Sequence, residues 1–290
     1  MITKDRNTVK LAIPKGRMME GTVGLLAEAG INIRQTVRGY RPKVSLKHYE
    51  AKILKPQNII EMLWIGSRDV GFAGADWVAE LGADVVELLD TGMDAVRLVA
   101  AAPEELLVGD KFPNERIVIA SEFENLTKAW IASEGFDATF VRSYGATEVF
   151  PPEDADCIVD LVGTGDTLRA NKLQEVASLL ASSTRLYASP MAMDDPVKRD
   201  EIERLTMLLR SVLDARLRVM LEVNVPADKL EAVVEILPCM REPTMAALHG
   251  GAGFAVKAAV PREALPRVIP EIKKRGGTDI VVTRLAQIMS

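Results

Sequence analysis

With 290 residues, nearly half of them hydrophobic and about a quarter charged, the chain has the composition of a soluble globular protein with room for two or three domains. The formal charge of −5 argues against nucleic acid as the main partner, because neutralising phosphates takes clustered Lys and Arg, although a local basic pocket for a small anion stays open. No apolar run reaches membrane-spanning length and the polar Met1–Lys10 segment carries no secretory signal, so no membrane is expected and the cytoplasm is the expected compartment.

Short β-branched runs alternate with helical patterns. Thr8–Ile13 predicts a strand, followed by the turn Pro14-Lys15-Gly16-Arg17 and a helix over Met19–Ala29. Asp69–Ala73 predicts a strand, Asp76–Leu81 a short helix and Val85–Leu89 a further strand. Ala95–Ala101 and Ile117–Ala120 read as separate buried strands, and Phe123–Ser133 as a helix stopped at Gly135. Ala155–Val162 is a strand that runs directly into a glycine-bearing loop. This alternation implies an α/β fold with helices on both faces of a parallel or mixed sheet.

The last third changes character. Asp195–Ala215 has the periodicity and charge of an exposed connecting helix. Beyond it come a strand (Arg218–Val223), a helix (Ala227–Leu237) and two strands (Thr244–Leu248 and Phe254–Val260) joined through Gly250-Gly251-Ala252-Gly253. A helix (Arg262–Lys274) and a last strand (Asp279–Thr283) complete a strand-helix-strand-strand-helix-strand order, the split βαβ plan of a ferredoxin-like module starting near residue 216. Cys157 and Cys239 lie far apart and make no metal-ligand pattern.

The stretch that carries chemistry runs from Asp156 through Asp160 to Gly163-Thr164-Gly165-Asp166-Thr167-Leu168. An apolar strand ends in an acid, and a loop of small residues then opens into a helix expected over Leu168–Lys172. Glycines at such a turn let backbone N–H groups approach an anion, and the helix start adds favourable partial charge. The hydroxyls of Thr164 and Thr167 supply further donors, while Asp156 and Asp160 suit sugar hydroxyls. The same connection also occurs in α/β proteins that bind nothing. It is not a P-loop, since the Gly-Lys-Ser/Thr ending is missing, and a dinucleotide fingerprint fits poorly with only Gly163 and Gly165.

The run Asp156–Leu173 resembles the phosphoribosyl pyrophosphate loop of the ATP phosphoribosyltransferase family. Leu11-Ala12-Ile13-Pro14-Lys15-Gly16-Arg17-Met18 is similar to that family's N-terminal strand and nucleotide-binding turn. Asp69-Val70-Gly71-Phe72-Ala73-Gly74, the Arg97–Pro103 run and Arg241-Glu242-Pro243-Thr244 fall where the family has similar segments, so the resemblance covers essentially the whole chain in its long form. One departure lies upstream of the loop. The family usually has a Gly-Leu-Ala-Asp-like approach, whereas here Phe150-Pro151-Pro152-Glu153-Asp154-Ala155 is one residue shorter and lacks the glycine, which leaves the role of Glu148 open.

The resemblance implies transfer of phosphoribosyl from its pyrophosphate to N1 of ATP, the first step of histidine biosynthesis. It also implies two lobes of the periplasmic-binding-protein type (residues 1–92 with 185–215, and 93–184) plus a ferredoxin-like regulatory domain of the ACT-like kind (216–290). Magnesium as cofactor, a homo-oligomer between dimer and hexamer, and feedback inhibition by histidine come with it. In those terms Gly163 to Leu168 cradle the 5′-phosphate, and Lys15, Gly16 and Arg17 hold polyphosphate, where an Arg fork suits bidentate contact. Taken alone, that Lys-Gly-Arg turn would read as solvated surface. Asp156 and Asp160, with Glu148, would act on ribose hydroxyls or hydrated magnesium, although Asp160 also fits a strand-end brace. Thr244, Ala246, Leu248 and His249 fall at the expected effector site, where the glycines also suit plain hairpin geometry. Only His48 and His249 are present and there is no nucleophile constellation, as suits a reaction whose nucleophile is a ring nitrogen. The competing readings are a non-catalytic ligand-binding protein, a phosphoribosyltransferase for another base, and a regulatory subunit without turnover.

Overall fold

The structure, a computed structural model, describes residues 7–34, 39–107, 112 and 115–289. The chain forms two compact units, residues 1–27 with 31–206 and residues 28–30 with 207–290. In chain order the elements begin with β1 (Val9–Pro14), α1 (Met18–Glu28), β2 (Ile33–Arg34), β3 (Lys43–Val44), β4 (Tyr49–Leu54), α2 (Pro56–Trp64), β5 (Val70–Gly74) and α3 (Ala75–Leu81). They continue with β6 (Val86–Pro103), β7 (Ile117–Ser121), α4 (Glu124–Glu134), β8 (Ala138–Arg142), β9 (Cys157–Val162), α5 (Asp166–Ala170) and β10 (Leu173–Ala188). After α6 (Pro190–Asp194) and α7 (Pro196–Arg216) come β11 (Arg218–Val225), α8 (Leu230–Val234), β12 (Thr244–Ala247), β13 (Phe254–Pro261), α9 (Leu265–Lys274) and β14 (Thr278–Arg284).

The first unit is built on an eight-stranded sheet of order β4-β1-β5-β10-β6-β9-β7-β8. Its two ends are parallel: β1 pairs β4 and β5, and β7 pairs β8 and β9. Between them β10 runs antiparallel to both β5 and β6, and β6 antiparallel to β9. Strands β1 and β5 are buried on both faces, so their apolar residues run on instead of alternating. Ile59, Ile60 and Leu63 of α2 pack with Ala12, Ala73 and Tyr187 on one side of the unit. On the other, Leu98, Ala100, Ile119, Phe123 and Val159 form a second core. Asp69 closes the turn before β5: its carboxylate accepts from the Lys10 backbone N–H at 2.7 Å and from Lys198 Nζ of α7 at 2.8 Å.

The sequence predicts separate strands at Val85–Leu89 and Ala95–Ala101, but the structure has one 18-residue strand, β6. The intervening Asp90-Thr91-Gly92-Met93-Asp94 is absorbed as an irregularity with positive φ at Gly92 (65°) and Asp94 (51°). Side chains make up for the disturbed ladder. Thr91 Oγ1 donates to the Thr184 carbonyl, and Thr184 Oγ1 donates to Asp94. Its partner β10, to which sequence analysis assigns no element, has apolar residues at mixed helical and strand spacing, and pairing with β6 decides its state.

In the second unit the four strands take the order β12-β13-β11-β14 with every neighbour antiparallel, the expected ferredoxin-like plan. Strict alternation on β11 puts Val219, Leu221, Val223 and Val225 inward, against Val233 of α8 and Val268 and Ile272 of α9. The boundary between units falls inside α7, upstream of residue 216, and the Ile288 N–H donates to the Ser211 carbonyl at 3.0 Å.

Gly71 marks a close crossing of β5 with β1 and α2 in the first unit. A Cβ there would stand 2.8 Å from both Ala12 Cβ and Ile59 Cγ2. Gly71→Ala is therefore expected to lower stability by about 1–3 kcal/mol, the usual result of overpacking, read as a lower urea midpoint with an unchanged slope.

Candidate active site

Strand β9 ends at Val162, and the loop Gly163-Thr164-Gly165 turns the chain into α5. Gly165 takes φ 79°, a left-handed conformation that glycine adopts without strain. The helix therefore starts at Asp166, two residues before the expected Leu168. Leu168 is buried and pins the helix start to the core formed by Val99, Ala101 and Ile158. Asp166 staples the loop to itself, since its carboxylate accepts from the Thr164 hydroxyl and from Arg169. Those two partners, the hydroxyl foremost, hold its pKa below the usual carboxylate range. Its charge is thus matched inside the loop, leaving the exposed Gly163, Thr164 and Thr167 around an open recess.

That recess is a cavity of about 470 Å³, with Gly163–Leu168 on one side and Arg17, Glu148 and Asp160 on the others. Burial pushes the Asp160 carboxyl up to about 6, with the neighbouring Glu148 and Glu122 adding to the shift and the Leu161 N–H opposing it. Glu148 sits in a single 3-10 turn, Thr147–Val149, braced by a buried 2.7 Å bond between the hydroxyls of Ser143 and Thr147. The shortened approach to the loop thus still brings Glu148 to the cavity.

Asp156 is not brought there. It lies at the opposite end of β9, roughly 20 Å along the strand from the loop. Its carboxylate accepts from the Val118 N–H at 2.7 Å while its own N–H donates to the Val118 carbonyl, so it joins β9 to β7.

Lys15-Gly16-Arg17 forms the turn after β1, with Gly16 at φ 89°. Lys15 Nζ stands 5.3 Å from the centroid of the Tyr40 ring and donates to its hydroxyl at 3.3 Å. Arg17 is exposed and lines a second, smaller cavity of about 170 Å³ as well. The two cavities adjoin at Arg17 and Leu161. The smaller one holds Lys15, Pro56, Asp76, Trp77 and Asp94, with Ser182, Ser183 and Thr184 from the irregular stretch of β10. Asp76 is buried and accepts from Ser182 Oγ, and burial raises its pKa while the Arg17 charge draws it down. A Cβ on Gly74 would fall 1.9 Å from Asp76 Oδ1, so this carboxylate occupies space that only glycine leaves.

Sequence analysis missed this second cavity. Asp76 and Trp77 appear there as an ordinary helix start, and Ser182–Thr184 lie in the unassigned strand.

The expected effector residues lie apart, in the second unit. Thr244 and Ala246 are on the exposed edge strand β12, the Leu248 N–H donates to the Gly253 carbonyl, and His249 opens a 3-10 turn with Gly250 at φ 73°. Gly253 is obligatory, because a Cβ would meet the Val225 carbonyl oxygen at 2.2 Å. Among the described residues no group of three or more His, Cys, Asp or Glu could hold a metal ion. No described helix is long and apolar enough to cross a membrane.

Comparison with known proteins agrees with this layout. Residues 55–211 match the family described as ATP phosphoribosyltransferase, and residues 215–287 match the one described as HisG, C-terminal domain. An ATP phosphoribosyltransferase of Chlorobium chlorochromatii is 36% identical over 96% of this chain and 97% of its own. One from Desulforudis audaxviator is 35% identical over 97% of this chain and 99% of its own. Among solved structures, the ATP phosphoribosyl transferase (HisG:HisZ) complex from Thermotoga maritima matches at 25% identity and a TM-score of 0.64, covering 71% of this chain and 99% of that one.

The raised Asp160 pKa has a measurable sign. A carboxyl with an ordinary value of 3.8 and a folded value of about 6 favours the folded state below pH 4, and that contribution is lost as pH rises through 6. Asp160→Asn keeps an acceptor for the Leu161 N–H and removes this slope. The variant should be more stable than the parent by about 1–2 kcal/mol at pH 8, with no gain at pH 4, in urea unfolding at the two pH values.

Proposed function

The chain belongs to the ATP phosphoribosyltransferase family, enzymes of the first step of histidine biosynthesis, and from that premise we propose how its cavities divide the reaction. Phosphoribosyl pyrophosphate occupies the larger cavity and ATP enters from the smaller one. The observation that carries this reading is that the two adjoin at Arg17 and Leu161, as two reacting molecules require. In this reading the cleft divides two lobes, residues 1–92 with 185–215 and residues 93–184, although residues 207–215 group with the second unit.

In this reading the 5′-phosphate rests on Gly163–Leu168, receiving backbone N–H groups and the Thr167 hydroxyl, with the Thr164 hydroxyl exchanging Asp166 for phosphate. Asp160 and Glu148, on the wall facing that cradle, accept from the ribose hydroxyls. Trp77 and Pro56 give the adenine ring an apolar surface, and Asp76 offers an acceptor for its exocyclic amine. The N1 lone pair forms a bond to the anomeric carbon while the bond from that carbon to pyrophosphate oxygen breaks, its electron pair leaving with pyrophosphate. The ring nitrogen is itself the nucleophile, so no side chain has to generate one. Arg17, reaching both cavities, stabilises the charge growing on pyrophosphate, with Lys15 and the Gly16 turn beside it.

Magnesium, when bound, would supply further stabilisation of the leaving group. Asp160 and Glu148 suit its water shell, since this ion keeps several waters and seldom takes an all-protein cage. Asp156, tied to Val118, is left out of this set. Histidine acts as feedback inhibitor at Thr244, Ala246, Leu248 and His249, and the chain works as a homo-oligomer between dimer and hexamer.

Following the adenine chromophore by ultraviolet absorbance should show a signal that needs ATP, phosphoribosyl pyrophosphate and magnesium together. In calorimetry Thr167→Ala should weaken phosphoribosyl pyrophosphate by about 1.5–3 kcal/mol, roughly 10- to 150-fold, with the melting temperature unchanged. Unaltered affinity would remove the cradle assignment, and binding without turnover in the parent would favour a regulatory role. Millimolar histidine is expected to slow the parent. A rate indifferent to it would reject the effector assignment.

A further inference from the structure

On the β4 side of the first unit, Arg41, Lys43, Tyr49, Glu50 and Lys52 line a recess of about 330 Å³ that shares no lining residue with either cavity of the candidate active site. Strand register puts Lys10 of β1 opposite Glu50, and alternation sets Lys52 on the same face. Among the described residues, the side chains of Arg41, Lys43 and Lys52 have no ion-pair partner. Behind them Arg68 is only 7% exposed. Its Nη1 lies 3.6 Å from Glu50, too far for a hydrogen bond, and has no other partner. The second nearby acid, Asp69, is already committed to Lys198 and to the Lys10 N–H.

A plain run of surface lysines would be a solvated face. This group differs in that a guanidinium has been taken out of water with one of its nitrogens, Nη1, lacking a hydrogen-bond acceptor, at appreciable energetic cost. Lys52 reports the crowding, its pKa lowered first by Arg68, then by burial and by Arg41, with Glu50 only partly opposing. One exposed carboxylate against four or five cations leaves the recess strongly positive.

We propose that this recess binds a small phosphorylated anion carrying two or more negative charges, held by Arg41, Lys43 and Lys52 with Arg68 behind them. Forked and point-charge donors around a concave wall suit phosphate oxygens, and the size of the recess fits a metabolite better than a macromolecule.

Inorganic tripolyphosphate is the probe, titrated calorimetrically into the full-length chain at about 150 mM salt, where the screening length is about 8 Å and diffuse surface attraction is weak. The double variant Arg41→Gln/Lys52→Gln should bind one tripolyphosphate fewer per chain, or bind it at least tenfold more weakly, while keeping parental turnover. Arg41→Gln/Lys43→Gln, altering two exposed side chains, guards against misfolding and should weaken the same site. Unchanged stoichiometry and affinity in both variants would overturn the proposal. So would unchanged anion binding with a lower mass in solution, which would mark the recess as a contact between copies of the chain.

Discussion

The antiparallel pairing of β6 with β10 is the constraint on which the catalytic unit depends. Both strands are about three times the usual length, at 18 and 16 residues, and each passes from one half of the sheet to the other. Parallel strands flank them on either side, so helices cover the sheet in two groups with a separate core under each. Where the pair crosses between halves its register shifts, at Ser182/Thr184 and Thr184/Arg185. Ser182, Ser183 and Thr184 of this stretch also line the smaller cavity. The disturbed ladder frees side chains and backbone there to face the cleft in place of a neighbouring strand.

Around that cleft, charge is placed by the way each acid is satisfied. Asp166 is neutralised within its own loop, Asp156 is spent on joining two strands, and Asp69 on anchoring a helix. Asp160 and Asp76 are held in partly dry surroundings that penalise ionisation. Carboxylates of the first kind build the scaffold. The second kind respond to cations and donors, as an anionic substrate with its counter-ion would supply.

Much of this was legible in the residues. Strand β9, its glycine loop and the following helix stood out because apolar run, small residues and helix start come in immediate succession. The ferredoxin-like unit was legible because β11 alternates strictly and prolines and glycines punctuate its elements. Strand β10 was not, because Leu173–Ala188 mixes Gln, Glu, Ala and Leu with Val and Thr and owes its state to a partner some 80 residues away. The continuity of β6 across Thr91-Gly92 likewise depends on its pairing with β10. Asp156 and Asp160 look alike in sequence. Only the direction of the strand shows that the former faces a neighbouring backbone and the latter the cavity.

Gly74 and Asp76 form a further pair whose dependence is one-sided. The acid at 76 fills the volume that the absent side chain at 74 leaves open. Any larger residue at 74 displaces the Asp76 carboxylate, while a small residue at 76 would leave only the Ser182 hydroxyl close to a side chain at 74. Inheritance at the first position is therefore governed by chemistry at the second. A glycine that no turn requires becomes the record, two residues upstream, of a carboxylate that has to be kept in place.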